Sequence, residues 1–264
     1  MVLTNAAVRD LAAFGPFFAV QTHTPGSLPR EPWHAMRELA KNPDILRDRV
    51  DAVRAHLATA SGGALHAVEL RVAASVTHLG LVARLISPTL ALAVTTGDLL
   101  ELDPASTRWQ RMLGGAFPLS IPLHTGTNNR GSHANPAPKP EYLAHMLARQ
   151  VLDGPVRDLV QATLPFSVSP RTLWGNVASA VNGAASMIAT CQPVWADRSR
   201  MIASLLLDQP PLHNTSTTTI SGAFRRRSCC LIYRAAPHAT ATVCGDCILS
   251  HDPPLIKPEV QPAR

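Results

Sequence analysis

Four of the five cysteines of this 264-residue chain fall between Cys229 and Cys247. They come as an adjacent pair, Cys229-Cys230, then the spacer Leu231–Val243, then Cys244-Gly245-Asp246-Cys247. Thiolates are soft ligands, and a set of four selects zinc or an iron–sulfur cluster. A C-x-x-C turn aims two sulfurs at one centre, with Gly245 expected to supply backbone freedom. The adjacent pair is less usual, because zinc ribbons normally carry two C-x-x-C knuckles. Neighbouring residues of an extended strand point to opposite faces. Both sulfurs therefore reach one centre only if the backbone turns at Cys229-Cys230, or if they bind an object wider than a single ion. That favours a two-iron cluster over zinc. A vicinal disulfide, ordinary buried thiols and a zinc site are the competing readings. The first is disfavoured by strain and by the absence of a secretion signal.

Composition bounds the rest. The net charge is +6, and charged residues are only 16% of the chain. The basic balance fits an anionic partner. Aromatic residues at 5% and the lack of a basic stripe or nucleic-acid motif argue against nucleic acid. The 23 prolines predict broken helices and stiff loops. The most apolar stretch, 72–96, is interrupted by His78, Arg84 and Pro88, which argues against a transmembrane segment. Phe14-Gly15-Pro16 spoils residues 11–20 as a secretion signal. The expected location is cytoplasmic, with peripheral membrane contact allowed.

Apolar spacing predicts helices over 4–14, 33–59 with a break at Asn42-Pro43, and 65–86, with a new helical piece starting at Ser87-Pro88. His66 and His78 on the third are expected to be satisfied core histidines. Leu99–Leu102 and Phe117–Ile121 are candidate short strands. The polar loop His124–His133 is expected to be a surface loop, with substrate contact through Asn128, Asn129 and Arg130 as the sharper reading. Pro140–Thr163 should be two helices or a kinked one, divided at Gly154-Pro155. Ser169-Pro170 is a start signal, N-cap then first helical position, for a helix to Cys191. A last helix should run from Trp195 to Leu207, with Trp174 either in the core or near a ligand. Cys191, remote from the motif, is taken as a non-ligand, and His238 as a minor candidate to replace a thiolate. The expected organisation is a mainly α-helical domain with a small irregular or β element (1–208), a linker (209–220), a C-terminal four-cysteine iron–sulfur module (221–250) and a disordered tail (251–264).

The vicinal cysteines, the later C-x-x-C, the preceding arginines and the mostly helical chain together resemble the FhuF-like ferric iron (ferric-siderophore) reductase family. Phe224-Arg-Arg-Arg-Ser-Cys-Cys-Leu-Ile-Tyr-Arg234 and Cys244-Gly-Asp-Cys-Ile-Leu249 carry the likeness; Arg71–Ser75 with Ser87-Pro88, and Leu173–Ala180, carry it more weakly. The resemblance implies that Cys229, Cys230, Cys244 and Cys247 ligate a [2Fe-2S] cluster, with a ferric siderophore as substrate. The spacer is longer than the family's, which bears on cluster exposure.

A thiolate-bound cluster is a net anion, and burying it is costly without compensation. Arg225, Arg226, Arg227 and Arg234 are candidates to offset that charge or to hold an anionic chelate or donor. No dinucleotide or phosphate-loop signature is present, so a separate ferredoxin or flavoprotein is expected to supply electrons. No hydrolase elbow or zinc-protease motif is present either. The expected function is reduction of siderophore-bound ferric iron. The alternatives are a module with a structural zinc site, or a cluster-bearing electron carrier or sensor of a siderophore pathway.

Overall fold

The computed structural model describes residues 5–123, 138–219, 222–235 and 244–249. Its chain order is α1 (Asn5–Asp10), β1 (Gln21–His23), β2 (His34–Ala35), α2 (Glu38–Lys41), α3 (Pro43–Ala60), α4 (Leu70–Thr96), β3 (Arg108–Trp109) and β4 (Leu119–Pro122), followed by α5 (Pro140–Leu147), α6 (Arg157–Thr163), α7 (Pro170–Cys191), α8 (Ala196–Leu207), β5 (Ser216–Thr218) and β6 (Phe224–Arg226). The protein is mainly helical with two small sheets. The four motif cysteines lie at the C-terminal end of the described chain.

The core is built around α4, which packs along α7 and also against α3 and α6. Nineteen of its residues are buried. It is long and apolar enough to cross a membrane, yet 72% of its most apolar window lies inside the protein. The helix runs through Pro88 instead of restarting there, against the expectation from Ser87-Pro88. A proline deprives the carbonyl four residues back of its donor. Here burial on nearly every side of the helix outweighs that loss. The Thr89 hydroxyl also donates to the carbonyls of Leu85 and Ile86 at 3.0 and 2.8 Å, adding bonds at the same turn.

The other breaks fall where proline and glycine put them. Asn42 caps α3, its side chain accepting from the Asp44 amide at 3.1 Å, with Pro43 at the first helical position. A π-helical stretch, Ala148–Val156, joins α5 to α6 and kinks at Gly154. Ser169 caps α7 by accepting from the Thr172 amide at 3.1 Å.

The larger sheet has the order β1-β4-β3-β2, with β1 parallel to β4 and the other pairs antiparallel. One of its strands, 34–35, falls in a stretch expected as helix. Leu99–Leu102, by contrast, forms no strand. Leu100 and Leu102 are simply buried there as irregular chain. His66 also departs from its expectation, since it lies exposed in a 3-10 turn before α4. Ser216–Thr218, within the expected linker, is β5 and pairs antiparallel with β6, tying 209–219 to the cysteine segment. His124–His133, His238 and the tail lie outside the described residues.

Candidate metal centre

The segment leaving β6 folds back on itself at the vicinal cysteines. Leu231 adopts φ +70°, a left-handed conformation rare for a branched residue, and it turns the chain directly after Cys230. Cys244 and Cys247 sit on a tight turn closed by a 3.0 Å bond from the Cys247 amide to the Cys244 carbonyl. Gly245 is not in the left-handed region and a Cβ there would meet nothing. The turn thus does not draw on the freedom expected of it.

These two turns bring one sulfur of each pair together. Cys230 Sγ and Cys244 Sγ are 3.4 Å apart. Cys229 lies in the electrostatic reach of Cys230 and Cys247, and Cys244 in that of Cys230 and Cys247. Cys230 and Cys247 are buried, Cys229 and Cys244 partly exposed, and all five cysteines are free thiols. The Leu231 and Leu249 amides donate to Cys229 Sγ and Cys247 Sγ, each at 3.3 Å. Backbone donors of this kind favour thiolate. The hydrogen bond with Cys244 pulls Cys230 down to about 6, and the same bond, with burial, pushes Cys244 up. Burial pushes Cys229 up. Cys191, at the exposed end of α7, lines a groove with Phe14 and Met187. Among the described residues no three Cys, His, Asp or Glu side chains converge as a single-ion site. A two-iron unit is wider than one ion, and its ligands need not meet at a point.

Two helices hold this segment from beneath. Ser75 of α4 donates its hydroxyl to the Cys230 carbonyl at 2.8 Å. Asn176 of α7 donates to the Ser75 carbonyl and hydroxyl at 3.0 and 3.2 Å. Ser179, one turn later, donates to the Asp246 carboxylate inside the C-x-x-C turn. The Arg226 amide donates to the Asp246 carbonyl at 3.0 Å, joining β6 to that turn. At Gly175 a Cβ would overlap Ser228 Oγ and crowd the Arg226 guanidinium. The absent side chain at Gly175 leaves room for Ser228 and Arg226 where the cysteine segment packs on α7.

The four arginines are placed differently. Arg226 is 1% exposed. Its Nη2 donates to Asn176 Oδ1 at 2.6 Å and to the Thr172 carbonyl at 3.4 Å. Its Nε and Nη1 meet no acceptor among the described residues, and neither does the Ser228 hydroxyl. Its positive charge pulls Cys229, Cys230 and Cys244 downward, toward thiolate. Arg227 is exposed and donates to the Ser216 carbonyl at 3.1 Å. Arg234 pairs with Glu69 at 2.7 Å on the surface. Arg225 lies in β6 opposite Thr217. His78, one turn beyond Ser75 on α4, is wholly buried, but neither ring nitrogen has a partner. Burial, then the Arg226 charge, pushes it down to about 3, so it is neutral. It is a core histidine, though not the satisfied one expected. Trp174 is half-buried beneath the Arg157 guanidinium, 5.7 Å from its ring centre.

The C-terminal cysteine segment is similar to the FhuF 2Fe-2S C-terminal domain. The family model matches residues 226–247, from the buried arginine to the last cysteine. The comparison with curated proteins finds no match. The FhuF 2Fe-2S domain brings with it a [2Fe-2S] cluster as cofactor. The residues present fit such a group. They offer four thiols, two backbone amides already aimed at sulfur, and unpartnered buried donors on Arg226 and Ser228. Ser75, Gly175, Asn176 and Ser179 carry no chemical signature of their own. Ser75, Gly175, Asn176 and Ser179 do fall within the two stretches that bear the weaker family likeness.

Proposed function

We propose that this chain is a cytoplasmic iron–sulfur oxidoreductase that reduces ferric iron held by a siderophore, with Cys229, Cys230, Cys244 and Cys247 holding the [2Fe-2S] cluster. The observation that carries the reading is the FhuF 2Fe-2S match over 226–247, on a segment where Cys230 Sγ and Cys244 Sγ lie 3.4 Å apart and Cys229 and Cys244 are partly exposed. A cluster held by these cysteines would supply the one electron that converts iron(III) to iron(II), which hard oxygen ligands hold far more weakly. The chain's residues then have three tasks. The thiolates hold the cluster at the protein surface, where an electron can leave. Arg226 offsets its charge from within. The exposed Arg227 leaves a positive edge for an anionic chelate or an acidic donor protein. A separate ferredoxin or flavoprotein supplies the electron.

The test is single turnover. The protein, reduced and freed of excess reductant under anaerobic conditions, is mixed with a ferric hydroxamate and an iron(II) indicator. One iron(II) per cluster, formed as the oxidised visible spectrum returns, is the expected result. A cluster that stays reduced beside the chelate but is reoxidised by a ferredoxin would make the protein a carrier instead. A colourless protein with one zinc would end the redox reading.

A further inference from the structure

A guanidinium buried to 1% is costly unless its donors and its charge are met. Arg226 meets this condition only on one side. Nη2 is held by Asn176 and Thr172, while Nε and Nη1 are left without acceptors among the described residues, and the arginine's own amide is bonded to the Asp246 carbonyl inside the C-x-x-C turn at 3.0 Å. The holding side is built from the helical body and not from the cysteine motif. Asn176 is wholly buried, and its amide orientation is fixed: Arg226 can only donate, so Oδ1 must face it, and Nδ2 must face Ser75. The Ser75 hydroxyl in turn ends on the Cys230 carbonyl. One chain of bonds thus fixes both the arginine and the backbone of a cysteine.

We infer that Asn176 and Ser75, on two helices outside the cysteine motif, are positioning residues that aim Arg226 at the [2Fe-2S] cluster and through it set the cluster's reduction potential. The inference rests on the four cysteines being the ligands. Reduction adds one negative charge to the cluster, so a fixed positive charge stabilises the reduced form and raises the potential. The same charge turned away, or neutralised by a neighbour, lowers it.

The experiment uses the full-length holoprotein and needs no siderophore, so its outcome is separate from that of the turnover test. Midpoint potentials, reduced-state EPR spectra, iron content and far-UV circular dichroism are compared for wild type, Arg226→Gln, Arg226→Lys, Asn176→Asp and Ser75→Ala. Arg226→Gln should shift the oxidised-to-reduced ratio at a given potential at least tenfold toward oxidised, which for one electron is a fall of about 59 mV. Arg226→Lys should recover part of that shift. Asn176→Asp places a carboxylate against the guanidinium and should shift the ratio in the same direction with Arg226 intact. Should Asn176→Asp fail to load the cluster, Ser75→Ala carries the test, because it removes one hydroxyl and leaves every backbone bond. A severalfold shift toward oxidised supports the inference. Loaded Arg226→Gln, or loaded Asn176→Asp or Ser75→Ala, with wild-type potential and EPR spectrum would overturn it and leave the network a purely structural one.

Discussion

Arg84 and Arg226 are both buried, at 2% and 1% exposure, and their surroundings differ in one respect. Arg84 projects from α4 into a set of carbonyls, donating to Phe117, Phe17 and Ala19 at 2.8, 2.6 and 2.6 Å. Its guanidinium also lies 5.7 Å from the Phe117 ring centre. Burial pulls it down to about 10, and all three of its nitrogens are met. It fastens the 15–20 segment and the approach to β4 onto the central helix. Arg226, in the strand that leads into the cysteine segment, has two of three guanidinium nitrogens unmet among the described residues. A buried arginine with every donor used is a structural tie. One with donors left over, next to soft ligands, is what a protein built around an anionic group would carry.

That contrast can be broken or sharpened by substitution. Arg84→Met should have the largest effect, leaving one buried and two part-buried carbonyls without their donors and costing about 3–5 kcal/mol of stability by urea denaturation, with the cluster potential unmoved. An equal fall in potential would show that the two arginines are not different in kind. Gly175→Ala should push the cysteine segment off α7 at a cost of about 1–3 kcal/mol, seen as reduced cluster occupancy. Adding Ser228→Ala should return most of that occupancy, because the overlapping oxygen is removed. Arg226→Met in the apoprotein should change stability by no more than about 1 kcal/mol, since it removes a buried charge without a full set of partners. A loss as large as that of Arg84→Met would mean that Arg226 is a structural tie as well. Arg234→Ala should be smallest, about 0.5 kcal/mol or less, because its ion pair with Glu69 is more than a third exposed.

The sequence was most legible where the chemistry is local. Asn42-Pro43, Gly154-Pro155 and Ser169-Pro170 act on their own turns, and the breaks and the cap fall where those residues are. The cysteine motif was readable for the same reason, since each pair is set by one turn. Pro88 misled because nearly all-round burial of α4, a tertiary effect, overrides a local breaker. Leu99–Leu102 misled because burial of alternate leucines needs no strand partner. The supports of the site were illegible in a stronger sense. Ser75 reaches Cys230 across 155 residues, Asn176 reaches Ser75 across 101, and Arg226 reaches Asn176 across 50. No periodicity or spacing rule spans such separations. Among the four arginines the sequence offered no way to choose, because burial alone distinguishes Arg226 from Arg227 beside it.

The assignment of the cluster to four particular thiols is tested most directly by iron and acid-labile sulfide analysis, with reduced-state EPR, on anaerobically purified wild type and on each single Cys→Ser variant. The account predicts two irons and two sulfides per chain, retained in Cys191→Ser and lost or spectrally altered in the variants at 229, 230, 244 and 247. An unaltered cluster in any one of those four, or its loss in Cys191→Ser, would contradict it.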